Sequence, residues 1–253
     1  MPATAARILL LHGFLATSRG WRPVVDALGD TVAVATPDLA GHGRARRVHP
    51  ASLDQIVDHL IPFVEHDQPT HVVGHSMGGV VALALAARLP GRFEGVGLIS
   101  LPVFESTVEG RAYIAQRGRF HRAAIGRHAL SHTGCAALHI LRPAWAPVVP
   151  RLVRAVHPAR VPACFDHTYE AHRAILDSVV FAGHVPALAA KVDVPVAVLH
   201  SPNDASAPVA AVEALAGLHS WDLTLLPDGG HQLPIAHAAR TATWLRESLL
   251  RQP

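Results

Sequence analysis

Residues 70–89, THVVGHSMGGVVALALAARL, carry an apolar stretch into Gly74-His75-Ser76-Met77-Gly78 and then directly into a second apolar stretch. The first has the length and β-branched content of a strand, and the second is long enough for a buried helix. A serine between them sits at a strand-to-helix corner. So tight a turn forces the central residue toward positive φ and leaves no room for a Cβ two residues before or after it. Gly74 and Gly78 fill those two places. The corner pushes the Ser76 hydroxyl out of the fold. It also aims the backbone N–H of Met77, at the start of the helix, toward the place where an oxyanion would form.

The rest of the chain alternates in the same way. Residues 7–11 form a continuous apolar run, as expected of a parallel strand buried on both faces. Helical periodicity follows over residues 21–28 and ends at Gly29, a strand is predicted over 31–36, and a helix capped by Ser52 runs to about His66. Further strands are predicted over 93–100, 194–200 and 223–226, with helices over 208–218 and 235–250. Together these give a mostly parallel sheet of about six strands with helices on both faces, an α/β fold.

Residues 103–191 break the alternation. They read as helices interrupted by Pro143, Pro147, Pro150, Pro158, Pro162 and Pro186, with ten arginines against five acidic residues. The expected organisation is therefore a core of 1–102 and 192–253 with 103–191 inserted as a helical cap. A basic cap would concentrate an anionic substrate. It is equally consistent with an arginine-rich solvated face, because 21 of the 22 basic residues in the chain are arginine.

A serine hydroxyl becomes nucleophilic at neutral pH only when a base takes its proton, and a carboxylate must orient that base. His231, after Gly229-Gly230, is the candidate base. Asp204 follows the preceding strand, which leaves one helix and one strand between acid and histidine. Asp193 precedes its strand and belongs at the wrong end of the sheet, while Asp228 is too near His231 to come from a separate strand. No HExxH or Cys/His cluster accompanies the nineteen histidines and two cysteines, so no metal site is expected, and most histidines read as surface or capping residues.

On these residues the chain resembles the α/β-hydrolase family: His12-Gly13-Phe14 after the first strand, Asp38-Leu39-Ala40-Gly41-His42-Gly43 after the second, the Gly74 to Gly78 elbow, then Asp204 and His231 in family order. The resemblance implies that the backbone N–H of Phe14 is the second oxyanion donor and that Asp38 and His42 are structural. It also implies that the antiparallel strand pair preceding the first parallel strand is missing, since only six residues come before Arg7. The activity implied is cofactor-free cleavage of an ester-type bond in a small hydrophobic, potentially anionic substrate through an acyl-enzyme on Ser76. A C–C hydrolase, a haloperoxidase, a pyruvate-eliminating lyase and a low-turnover small-molecule receptor on the same fold all remain open. Epoxide hydrolases and haloalkane dehalogenases need a carboxylate nucleophile, which Ser76 is not.

The formal charge of +3 comes without basic runs interleaved with aromatics, which argues against nucleic-acid binding. No apolar run reaches the roughly 18 residues of a membrane span. A cytoplasmic protein is expected, with its oligomeric state open.

Overall fold

The computed structural model describes residues 7–50, 52–64, 70–116, 137, 140–145, 166–167 and 169–250. Six strands form one sheet in the order β2-β1-β3-β4-β5-β6. They are β1 (Arg7–Leu11), β2 (Ala33–Ala35), β3 (Thr70–His75), β4 (Gly95–Ile99), β5 (Val196–His200) and β6 (Asp222–Leu225), and every pairing is parallel. All five predicted strands outside the elbow are present: β1 with the predicted bounds, β2, β4 and β5 shorter, and β6 shifted by one residue.

The chain builds β2 on one side of β1 and then crosses to place β3 on the other. Open α/β sheets bind ligands beyond the carboxyl ends of the strands at such a reversal, here β1 and β3. His12-Gly13-Phe14 and the Gly74 to Gly78 corner both emerge there.

Helices cover both faces. On one side α1 (Arg22–Leu28) with Trp21 just before it, α9 (Leu233–Ala236) and α10 (Ala238–Ser248) pack Trp21, Leu28, Leu233, Trp244 and Leu245 against Ile8, Leu10, Val73 and Ile99. On the other, α2 (Leu53–Leu60), α3 (Met77–Arg88) and α8 (Val209–His219) cover Leu9, Leu11, Val72 and Leu98. Helix α3 is buried from Met77 through Ala86, which explains why its sequence lacks a polar face. Each of its fully buried Val and Leu side chains contributes on the order of 1.5–3 kcal/mol.

Local chemistry sets several boundaries. Gly29 takes φ 66° at the end of α1. The Ser52 hydroxyl accepts the Gln55 N–H at 3.3 Å and opens α2. The helix predicted to run to about His66 ends earlier, at Leu60, and continues as a 3₁₀ turn, Ile61–Phe63, because Pro62 has no N–H for the next helical bond; His66 lies outside the described residues. The predicted C-terminal helix is broken at His237, with φ −130°, and the Thr241 hydroxyl donates to the Leu233 carbonyl across the break.

Between β4 and β5 the described residues are helical: α4 (Thr107–Ala115), α5 (Arg142–Trp145), α6 (Tyr169–Ile175) running into a π turn (Leu176–Val180), and α7 (Val185–Ala189). Phe104, Leu176 and Phe181 form a small apolar cluster that also touches Phe14. The segment is tied to the core where His167 makes an antiparallel bridge with His42 and the Gly43 N–H donates to the Asp166 carbonyl at 2.9 Å. Of the arginines that motivated the basic reading, Arg111 and Arg173 converge on Asp177. Arg117, Arg119, Arg122, Arg127, Arg151, Arg154 and Arg160 lie outside the described residues, as do Cys135 and Cys164. Among the described residues no helix is long and apolar enough to cross a membrane.

The corner is the tightest part of this framework. A Cβ on Gly78 would overlap the Leu11 carbonyl and lie 2.7 Å from the His12 carbonyl oxygen. These are backbone atoms of the central strand and its loop, so they cannot give way cheaply. Gly78→Val should therefore cost several kcal/mol, by analogy with overpacking penalties of about 1–3 kcal/mol in compliant cores. Calorimetry should show a melting temperature lower by about 5 °C or more; unchanged melting would mean that β1 can retreat from the helix.

Candidate active site

Ser76 adopts φ 54° and ψ −120°, the strained conformation predicted for the corner. Its amide donates to the Ile99 carbonyl at 2.8 Å and its carbonyl accepts from Gly79 at 2.8 Å, so β4 and α3 hold the turn from both sides. A Cβ on Gly74 would run into the Gly78 carbonyl. Both glycines are thus required by backbone approach.

His231 lies in the loop between β6 and α9. Its Nε2 is 3.0 Å from Ser76 Oγ, and its Nδ1 is 3.0 and 2.9 Å from the two Asp204 carboxylate oxygens. The carboxylate only accepts, so Nδ1 carries the hydrogen and the Nε2 lone pair faces the serine hydroxyl. Asp204 also accepts the N–H groups of Ser206 and Ala207, at 2.7 and 3.0 Å. Burial by itself would raise the Asp204 pKa. The His231 hydrogen bond and charge, the Ser206 N–H and the nearby His200 outweigh it, and the pKa is lowered. The structure thus brings Ser76, His231 and Asp204 together. Asp228, by contrast, is exposed and faces Arg240 at 3.9 Å, and Asp193 is exposed ahead of β5.

Met77 is the first residue of α3, where backbone N–H groups have no partner within the helix. Phe14 packs 4.8 Å from the His172 ring, and Leu15 turns the loop sharply at φ 55°. Asp38 takes no part in the hydrogen-bonded line from Ser76 to Asp204 and accepts N–H groups from Ser18 and Arg44 at 2.7 and 2.9 Å. Among the described residues no cluster of His, Cys, Asp and Glu could hold a metal ion.

The sequence reading missed how many histidines are buried: His12, His42, His71, His75, His167 and His200. Histidine is amphipathic, and no local pattern separates a buried ring from an exposed one. His12 Nε2 accepts the Leu39 N–H at 3.0 Å, which requires Nδ1 to carry the hydrogen that it donates to the Gly13 carbonyl at 2.9 Å. His12 therefore ties the loop after β1 to the loop after β2.

A model of the alpha/beta hydrolase family matches residues 8–244. The chain belongs to that family. It is 28% identical to a pimeloyl-[acyl-carrier protein] methyl ester esterase of Neisseria meningitidis serogroup C, over 98% of this chain and 94% of that protein. It is also 37% identical to Lipase LipV of Mycobacterium tuberculosis, over 39% of this chain and 38% of the lipase, so that match spans well under half the relative's length. Among solved structures, a bromoperoxidase from Bacillus anthracis superposes with TM-score 0.76 at 17% identity, covering 98% of this chain and 93% of that one. An enol-lactonase from Burkholderia xenovorans does so with TM-score 0.72 at 21% identity, covering 98% and 93%. The structural matches establish the α/β-hydrolase fold.

The buried histidines give the protein a defined acid sensitivity. Burial holds the pKa values of His12, His42, His71 and His200 below the ordinary value, His42 well below it. Above about pH 6.5 these rings are neutral in both folded and unfolded chains. Below it the unfolded chain takes up protons that the folded protein refuses, so stability falls as pH drops toward the folded values, by at most about 1.4 kcal/mol per pH unit for each ring. Urea unfolding should show the midpoint declining between pH 7 and 5, with a shallower decline in His42→Gln. A midpoint that stays flat to pH 5 would contradict this.

Proposed function

We propose that the protein is a cofactor-free serine hydrolase that cleaves a carboxylic ester of a small, largely apolar substrate, with Ser76 as nucleophile, His231 as general base and Asp204 as the orienting acid. The observation that carries the reading is the continuous hydrogen-bonded line from Ser76 Oγ through the His231 ring to the Asp204 carboxylate. The full-length relation to an enzyme named as a methyl ester esterase supports ester chemistry in particular.

In the proposed reaction His231 Nε2 takes the Ser76 proton as Oγ attacks the substrate carbonyl. The backbone N–H groups of Met77 and Phe14 receive the oxyanion, a type of contact worth about 2.7–4 kcal/mol per donor. The imidazolium, stabilised by Asp204, protonates the departing alcohol. The same histidine then activates a water that attacks the acyl-serine, releasing the acid and restoring Ser76. In this reading residues 103–191 form the cap, whose buried Phe104, Leu176, Phe181 cluster packs against Phe14.

Hydrolysis of short p-nitrophenyl esters and covalent labelling of Ser76 by a fluorophosphonate test the proposal together. Ser76→Ala and His231→Ala should each reduce kcat/KM by about 10⁴-fold or more, and the double variant should be little worse than either, because the two act as a unit. A Ser76→Ala protein retaining a tenth of the wild-type rate would overturn the assignment. An unlabelled wild-type protein without turnover would favour a receptor on the same fold.

A further inference from the structure

His75 separates Gly74 from Ser76 and is buried, yet its ring takes no part in the line from Ser76 to Asp204. Its Nε2 lies 2.7 Å from the backbone carbonyl oxygen of His231. A carbonyl only accepts, so Nε2 carries a hydrogen and donates it. The two rings are 5.2 Å apart between centroids, inclined at 47°. On its other side His75 abuts the loop after β1, where a Cβ on Gly13 would lie 2.8 Å from His75 Nδ1 and 3.2 Å from the His75 carbonyl oxygen. The ring is thus wedged between the loop bearing Phe14 and the loop bearing His231. It is rooted in the sheet, since Gly74 pairs with Leu11 of β1 and His75 with Ile99 of β4.

The loop it reaches needs such an anchor. His231 follows two glycines: Gly229 packs closely against Leu226 and Leu233, whereas a Cβ on Gly230, immediately before His231, would meet nothing within 4 Å. Glycine backbone is the most costly to order, and ordering must come from contacts elsewhere. Asp204 grips the His231 ring at Nδ1. One grip on the ring still lets the backbone shift and carry Nε2 away from the serine; a second grip on the carbonyl removes that freedom.

We propose that His75 is a positioning residue, whose Nε2–H holds the His231 backbone so that the His231 ring stays in line with Ser76 Oγ. This inference rests on the triad reading above. Displacing a reacting group by about 1 Å costs on the order of 10²-fold in rate. Losing the tether should therefore lower kcat and leave KM for a short ester nearly unchanged, because the His75 ring faces protein on both sides.

Three substitutions separate tethering from simple filling of space. His75→Phe keeps the ring and removes the donor; His75→Asn offers an amide N–H only as far out as Nδ1; His75→Gln places one near the position of Nε2. Expected are kcat values lower by about 10- to 100-fold for Phe and Asn, KM within about twofold, slower fluorophosphonate labelling of Ser76, and at least a third of wild-type kcat recovered by Gln. Equal losses in Gln and Asn, wild-type kcat in Phe, or a rise in KM alone would each overturn the inference. Ser76→Ala measured in parallel distinguishes the two failures. If it is inactive while His75→Phe is unimpaired, only the tether falls; if it is active, the triad reading falls as well.

Discussion

Everything at the candidate site depends on how closely α3 approaches β1 and β3. Ser76 can sit at φ 54° only because the chain folds back on itself there with carbonyl oxygens where side chains would otherwise be. Such backbone strain costs of the order of 1–3 kcal/mol, and it persists only where surrounding structure over-determines it. Here the surroundings are the central strands of the sheet and the apolar helix α3, buried from Met77 to Ala86. The free energy of packing that helix holds the serine in a conformation it would not adopt alone.

The same rigidity explains how three distant stretches of chain meet. Ser76, Asp204 and His231 follow β3, β5 and β6, and parallel pairing through β4 places the carboxyl ends of these strands along one edge of the sheet. Each loop is then held by hydrogen bonds of its own: Ser76 by Ile99, Asp204 by Ser206 and Ala207, His231 through its carbonyl by His75. Buried neutral histidines serve repeatedly as these ties. His12 joins the first two loops, and His200 donates to the Ala207 carbonyl at 3.2 Å behind the acid. A neutral imidazole offers one donor and one acceptor on a compact ring, which suits bridging two loops, and the cost is destabilisation in acid.

Much of the architecture was legible because it is written in local, short-range terms. A short continuous apolar run rich in β-branched residues reads as a strand buried on both faces, a Gly-x-Ser-x-Gly corner between such a run and a buried helix admits few conformations, and Ser52 and Gly29 have direct backbone reasons to cap helices. The pairing of Asp204 with His231 was legible for a topological reason: it required a carboxylate after the strand that precedes the histidine's own strand, and Asp228 and Asp193 did not meet that condition. Boundaries were less legible where a single residue changes the hydrogen bonding, as Pro62 does in shortening α2.

What only the tertiary structure decided is which side chains face inward across elements remote in sequence. His75 and His231 are 156 residues apart, and nothing local in either stretch shows that a ring on one meets a carbonyl on the other. The pairing of Arg111 and Arg173 with Asp177 is of the same kind: composition registers a surplus of positive charge, whereas which arginines meet an acid depends on the packing of α4 against the π turn after α6. The sequence by itself determined the sheet, the strained serine corner and the order of the candidate acid and base, because periodicity and backbone sterics act over a few residues. The loop-to-loop ties that hold that chemistry in register were decided by the fold, because a hydrogen bond between distant segments exists only once the sheet has brought them together.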